Sequence, residues 1–118
     1  MRILFCATPG DGHFLPLVPL ARAASRAGHD VAFAAAPDYV ARAAALDLDA
    51  FPVGLSLSEL EERYAPVLGS LQLETVPIEE RRPLVFSARF AELEAPGRID
   101  DLRALVREWQ PDVVVHES

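Results

Sequence analysis

From Arg2 to Ala7 the chain is almost wholly apolar, and Pro9, Gly10 and Gly12 close the run. A short apolar stretch ended this way predicts a strand buried on both faces. Residues 8–13 read as a tight loop. Beyond it the apolar spacing takes the helical period. Over 15–27, Leu17, Leu20, Ala21, Ala24 and Ala27 or Gly28 share one stripe, and Arg22 and Arg26 fall off it. Pro16 suits a first helical turn, and Pro19 is tolerable near a helix start. Gly28 is a C-terminal stop, with His29 beside the negative end of the helix dipole. Residues 31–35 predict a second buried strand. Residues 37–45 predict a helix opened by Pro37-Asp38, with Asp38 as its capping acid. Residues 47–49 are a connection and 50–53 a short third strand. This β-α-β-α-β order fits right-handed crossovers in a parallel sheet.

Residues 54–97 are rich in glutamate and show no clear strand pattern. A helix is expected over 58–68, and an irregular helical stretch over 78–94 interrupted by Pro83. An insertion this long exceeds what a crossover requires, and such excursions often shape a pocket; a solvated flap is the competing reading. An amphipathic helix follows over 98–109. Its buried stripe is Ile99, Leu102, Leu105 and Val106, with Trp109 one turn on and Pro111 as the stop. Val113-Val114-Val115 predicts a fourth buried strand, followed by His116-Glu117-Ser118. The fold class is therefore α/β: a Rossmann-like, doubly wound parallel sheet of about four strands in the order 3-2-1-4. A strand of this kind is normally followed by a loop and a covering helix. The 118 residues are thus expected to be the N-terminal portion of a larger domain, whose open edge at 113–115 would invite dimerisation or aggregation. No internal repeat or low-complexity segment is present.

The net charge of −7 argues against nucleic acid or an anionic membrane as a partner. No apolar run approaches the roughly 20 residues of a membrane span. A soluble, cytoplasmic protein is expected. Cys6, the one cysteine, sits in an apolar run and reads as a buried, inert thiol.

Candidate chemistry gathers after the first and fourth strands. In the order 3-2-1-4 the loops after those strands diverge, and a crevice opens at their carboxyl ends. Thr8-Pro9-Gly10-Asp11-Gly12-His13 would then face His116-Glu117 across it. The glycines allow close backbone approach, and the helix start favours developing negative charge. Three readings compete. A dinucleotide site lacks its third glycine, since position 15 is Leu, and lacks an acid at the end of the second strand. A metal site from His13, His116 and Glu117 has no close-spaced ligand pair. Asp47 and Asp49 precede a strand instead of ending one and read as turn acids. In the third reading His13 is a general base, because an imidazole with an unperturbed pKa of about 6.5 can take a proton at neutral pH. Glu117 would orient it, with His116 turned to the opposite face. A merely structural hydrogen bond from His13 to the loop competes evenly with that reading.

The run from Met1 through Ala-Thr-Pro-Gly-Asp-Gly-His13-Phe-Leu-Pro-Leu-Val-Pro-Leu-Ala resembles the start of family 1 glycosyltransferases. Gly28-His29-Asp-Val-Ala-Phe-Ala, Pro37-Asp38-Tyr and Trp109-Gln-Pro-Asp-Val-Val-Val-His-Glu extend the resemblance. It covers nearly the whole chain and is weakest in 54–97. The family has the GT-B fold and includes bacterial enzymes that decorate natural products such as macrolides and enediynes. The resemblance implies an N-terminal domain that binds the acceptor and a C-terminal domain that binds most of the nucleotide sugar. It implies that His13 deprotonates an acceptor hydroxyl, which displaces the nucleoside diphosphate with inversion and without an essential metal or cofactor. The family's partner acid, usually Asp, falls on Glu117. Gly10, Asp11 and Gly12 would approach the substrates. Phe14, Phe86 and Phe90 would line the acceptor pocket, unless core packing claims them. The donor-binding motif of the C-terminal half has no counterpart here, so the chain alone is expected to be inactive and to need that domain in cis or in trans. A non-catalytic binding or auxiliary module, paired with a separate chain, is the alternative.

Overall fold

The computed structural model describes residues 1–117; Ser118, the last residue of the expected domain, lies outside them. Four strands, β1 Arg2–Cys6, β2 Asp30–Ala35, β3 Asp49–Pro52 and β4 Val113–His116, form one parallel sheet in the order β3-β2-β1-β4. The helices are α1 Asp11–Phe14, α2 Val18–Arg26, α3 Pro37–Ala44, α4 Leu57–Ser70, α5 Ile78–Phe86 and α6 Ala95–Trp109. The α/β class and the 3-2-1-4 order agree with the sequence reading.

Alternate residues of the central strands feed two cores, as the period of two requires. Ile3, Phe5, Val31 and Phe33 pack under Phe14, Val18, Ala21 and Tyr39 on one face. Leu4, Ala32 and Ala34 pack with Val53 and Leu105 on the other. Burial on both faces is why these strands read as continuous apolar runs.

Several details differ from the sequence reading. The first helical segment starts at Asp11, four residues early, and is cut by a 3₁₀ turn at Leu15–Leu17. Pro16 and Pro19 have no amide to donate, and both fall at segment starts. The tighter turn rotates the following helix, so Val18 is buried and Leu20 is 54% exposed. Asp38 does not cap its own helix, whose N-cap is Ala36. Its carboxylate instead accepts the Leu57 amide at 3.1 Å, at the start of α4. There Ser56 and Glu59 also form a reciprocal capping box.

Pro83 does not interrupt the helical stretch that begins at Ile78. The run continues from Ile78 through a π-helical segment, Ser87–Glu94, into α6. Pro96 cannot donate to the turn before it, and the widened turns just upstream accommodate that loss. Within α6, Leu105 is buried and Leu102 and Trp109 are half-buried, but Ile99 and Val106 are exposed. They line a surface cleft of about 370 Å³ together with Leu102, Arg103 and Arg107. No helix among the described residues is long and apolar enough to cross a membrane.

Candidate active site

Three segments meet at the carboxyl ends of β1 and β4. The register pairs Cys6 with His116, so both chains leave the sheet at one level. β1 delivers Thr8, β4 delivers Glu117, and the first turn of α1 delivers His13. His13 is thus helical, not in a loop as the sequence suggested. Gly10 makes the turn possible. Its φ of 140° is open to glycine and strained for other residues, and its carbonyl accepts the amides of His13 and Phe14 at 3.1 and 3.0 Å.

His13 Nδ1 lies 2.6 Å from Glu117 Oε2. An ionised carboxylate can only accept, so a neutral ring holds its proton on Nδ1 and leaves the Nε2 lone pair unused. The other carboxylate oxygen, Oε1, accepts from the Thr8 amide at 3.2 Å and from the Thr8 hydroxyl. Partial burial pushes the Glu117 carboxyl up, but the bonds from Thr8 and His13 outweigh it and hold it below the usual range. His116, in contrast, is exposed, and its Nδ1 lies 2.9 Å from the Glu117 carbonyl.

A cavity of about 290 Å³ opens over the pair, lined by Thr8, His13, Phe86, Phe90 and Glu117. Phe86 is 61% exposed, and its ring centroid stands 4.5 Å from that of Phe90. The 54–97 excursion therefore folds back to wall the end of the sheet. Phe14 does not line this cavity. It is fully buried between Phe33 and Tyr39, where it anchors α1 from beneath. Asp11 accepts from Tyr39 Oη at 2.8 Å and from Arg42, and these two bonds hold its carboxyl below the usual range. Gly12 is exposed, with open space where a side chain would sit. Among the described residues no cluster of three or more His, Cys, Asp or Glu side chains is arranged to hold a metal ion.

Sequence reasoning missed two residues. Thr8 was legible in principle: strand alternation turns the Ala7 amide to β2, where it bonds Ala34, and so turns the Thr8 amide to β4. Arg98 gave no signal. Its guanidinium donates to the Ala7 carbonyl at 2.7 Å, tying α6 to the end of β1. Burial pulls it below the ordinary arginine value, opposed by Cys6, Glu94 and Glu117 nearby. Burial likewise pushes the Cys6 thiol up, opposed by Arg98, consistent with an unreactive side chain.

No family model matches the chain. Tylactone mycaminosyltransferase of Streptomyces fradiae is 31% identical over 131 residues, which take in 99% of this chain and 29% of that protein. Aclacinomycin-T 2-deoxy-L-fucose transferase of Streptomyces galilaeus is 32% identical over 140 residues, covering 100% of this chain and 32% of that one. The Streptomyces sp. SF2575 glycosyltransferase SsfS6, solved in complex with thymidine diphosphate, matches 98% of this chain at a TM-score of 0.70 and 30% identity. The chain is similar to the N-terminal part of bacterial natural-product glycosyltransferases. It spans under a third of the length of these relatives: 29% and 32% of the two transferases and 32% of SsfS6. The glycosyltransferase from Streptomyces nogalater, SnogD, gives the same picture, with a TM-score of 0.67 at 30% identity. The α/β fold with its four-stranded parallel sheet matches these GT-B glycosyltransferases over nearly the whole chain.

Proposed function

We propose that this chain is the acceptor side of an inverting, metal-independent glycosyltransferase that moves a sugar from a nucleoside-diphosphate sugar to a hydroxyl of a small natural-product acceptor. The observation that carries the reading is the His13–Glu117 pair at 2.6 Å, set in the floor of the cavity walled by Phe86 and Phe90. The acceptor hydroxyl gives its proton to His13 Nε2. Its oxygen forms the new bond to the anomeric carbon from the face opposite the nucleotide. The bond from that carbon to the diphosphate oxygen breaks, and the leaving group keeps the electron pair. Glu117 fixes the ring and stabilises the imidazolium. Phe86 and Phe90 offer an apolar wall to the acceptor body. Gly10, Asp11 and Gly12 precede the base in the chain, and the open space at Gly12 would let a substrate come close to the backbone. The family resemblance, together with the free Nε2 of His13 as a proton acceptor, supports inversion and metal independence.

The chain spans under a third of its relatives' length, and the donor-binding motif that the resemblance assigns to the C-terminal half has no counterpart in it. The 118 residues alone are therefore proposed to lack turnover. Incubating them with thymidine-diphosphate sugars and a panel of hydroxylated polyketide acceptors is the first test, and robust product formation would contradict the reading. Joining the chain to the C-terminal domain of a relative such as SsfS6 is the second. Transfer by that chimera should fall by roughly 10²–10⁴-fold in His13→Ala, and an unchanged rate would remove the base assignment.

A further inference from the structure

We propose that Thr8 is a positioning residue for the His13–Glu117 pair: it clamps one carboxylate oxygen of Glu117 so that the other meets His13 Nδ1. The inference rests on the reading of His13 as the base. Glu117 reaches the site on a side chain with one more rotatable bond than an aspartate. Left alone, its carboxylate would sample many orientations, and ordering it costs conformational entropy. Thr8 removes that freedom with two donors on a single oxygen, Oε1. Both donors come from one residue just past β1, a strand paired on both sides.

The backbone donor is a consequence of strand geometry. The Ala7 amide points to β2 and bonds the Ala34 carbonyl at 3.2 Å. The Thr8 amide must then point to β4, at the level just past Cys6↔His116 where the ladder stops. Glu117's side chain takes the bond that a further backbone carbonyl would have taken. The hydroxyl donor is preset too, because a β-branched residue has few χ1 choices. Behind the clamp, Arg98 holds the Ala7 carbonyl at 2.7 Å, so the peptide that carries the Thr8 amide is fixed at both ends. The arrangement also explains how glutamate serves where aspartate is usual in the resembling family. The added length lets one carboxylate span β1 and α1, with 2.6 Å on the His13 side.

The test uses the full chain with ¹⁵N-labelled histidine and reads the Nδ1–H proton of His13 by NMR. The parent should show a protected low-field proton, assigned by its loss in His13→Ala. Thr8→Ser, which keeps the hydroxyl, should retain it. Thr8→Val keeps the branch and the amide but lacks the hydroxyl, and its Nδ1–H should exchange with water about tenfold faster, the usual worth of a hydrogen bond to a charged acceptor. Thr8→Ala removes the hydroxyl without adding a methyl against the carboxylate, and should behave like Thr8→Val; it carries the test if valine perturbs folding. Backbone amides of β1 and β2, read in uniformly ¹⁵N-labelled samples, should be unchanged in all variants. Parent-like exchange in both Thr8→Val and Thr8→Ala overturns the proposal, as does a Thr8→Ser variant that matches valine. The base assignment fails separately, if His13→Ala leaves transfer by the chimera intact while the NMR signal still follows Thr8.

Discussion

Gly10 and Gly12 stand two positions apart and do different work. At Gly10 an added Cβ would lie 3.2 Å from His13 Cδ2 on a backbone with φ of 140°. Gly10→Ala should therefore cost about 1–3 kcal/mol in urea denaturation and displace the imidazole. At Gly12 nothing lies within 4 Å of an added Cβ, and the residue is helical. Gly12→Ala should leave stability unchanged or raise it by up to about 1 kcal/mol. If Gly12 faces a substrate, the same variant weakens acceptor binding, so stability and affinity move apart. Glu117 gives a pH signature. Its native carboxyl titrates below its ordinary value of 4.5, so the stability it contributes is complete above that pH and is lost as pH falls through the lower native value. Thermal melts from about pH 7 to about pH 3 should show the parent losing more stability than Glu117→Gln across the acid interval. Parallel pH profiles would mean the carboxylate is not held as described.

At the scale of elements, α4 is built on three acceptors at its start. Ser56 Oγ takes the Glu59 amide at 3.2 Å, Glu59 takes the Ser56 amide at 3.0 Å, and Asp38 takes the Leu57 amide. Ser56→Ala should destabilise by about 0.5–2 kcal/mol in chemical denaturation, the usual loss for such a cap. The strands were legible from sequence because Ile3 to Phe5 and Val31 to Ala35 are buried on both faces and admit no polar residue. The pairing of His13 with Glu117 was legible because the strand order alone brings the ends of β1 and β4 together. The stripe of the first long helix was misplaced because a propensity argument sees two prolines as one irregular start, whereas each opens its own segment. The stretch over 78–94 reads as interrupted for a related reason: Pro83 looks like a break, and the π-helical turns that carry the run on into α6 have no pattern of their own. Thr8 was passed over because its role is set by where the ladder ends.

The whole molecule is elongated, with extents of 54 × 26 × 22 Å. Its radius of gyration of 16.1 Å exceeds the roughly 13.5 Å expected for a compact domain of this length. The helical run from Ile78 to Trp109, about 48 Å at 1.5 Å per residue if straight, accounts for the long axis. On one flank of that run and on the neighbouring sheet edge, apolar groups face water: Ile99 and Val106 on α6, and Val113 and Val114, 41% and 48% exposed, on β4. An unpaired parallel edge and an exposed apolar helix face each invite another chain. Light scattering should show concentration-dependent self-association of the 118-residue chain, reduced in Val114→Lys; a monomer at all concentrations in both would contradict this.

The placement of β1 also sets a timetable for folding. The strand is made before the other three, yet one of its two neighbours is β4, more than a hundred residues later: Ile3 waits for Val113 and Thr8 for Glu117. During synthesis β1 and β2 can pair early, while the other edge of β1 stays open until the whole 54–97 excursion and α6 have emerged. Closing such distant contacts is slow and leaves the edge open to wrong partners in the meantime. The bond between Thr8 and Glu117 is thus among the later ones to form, and a chain that carries it has brought β1 and β4 together.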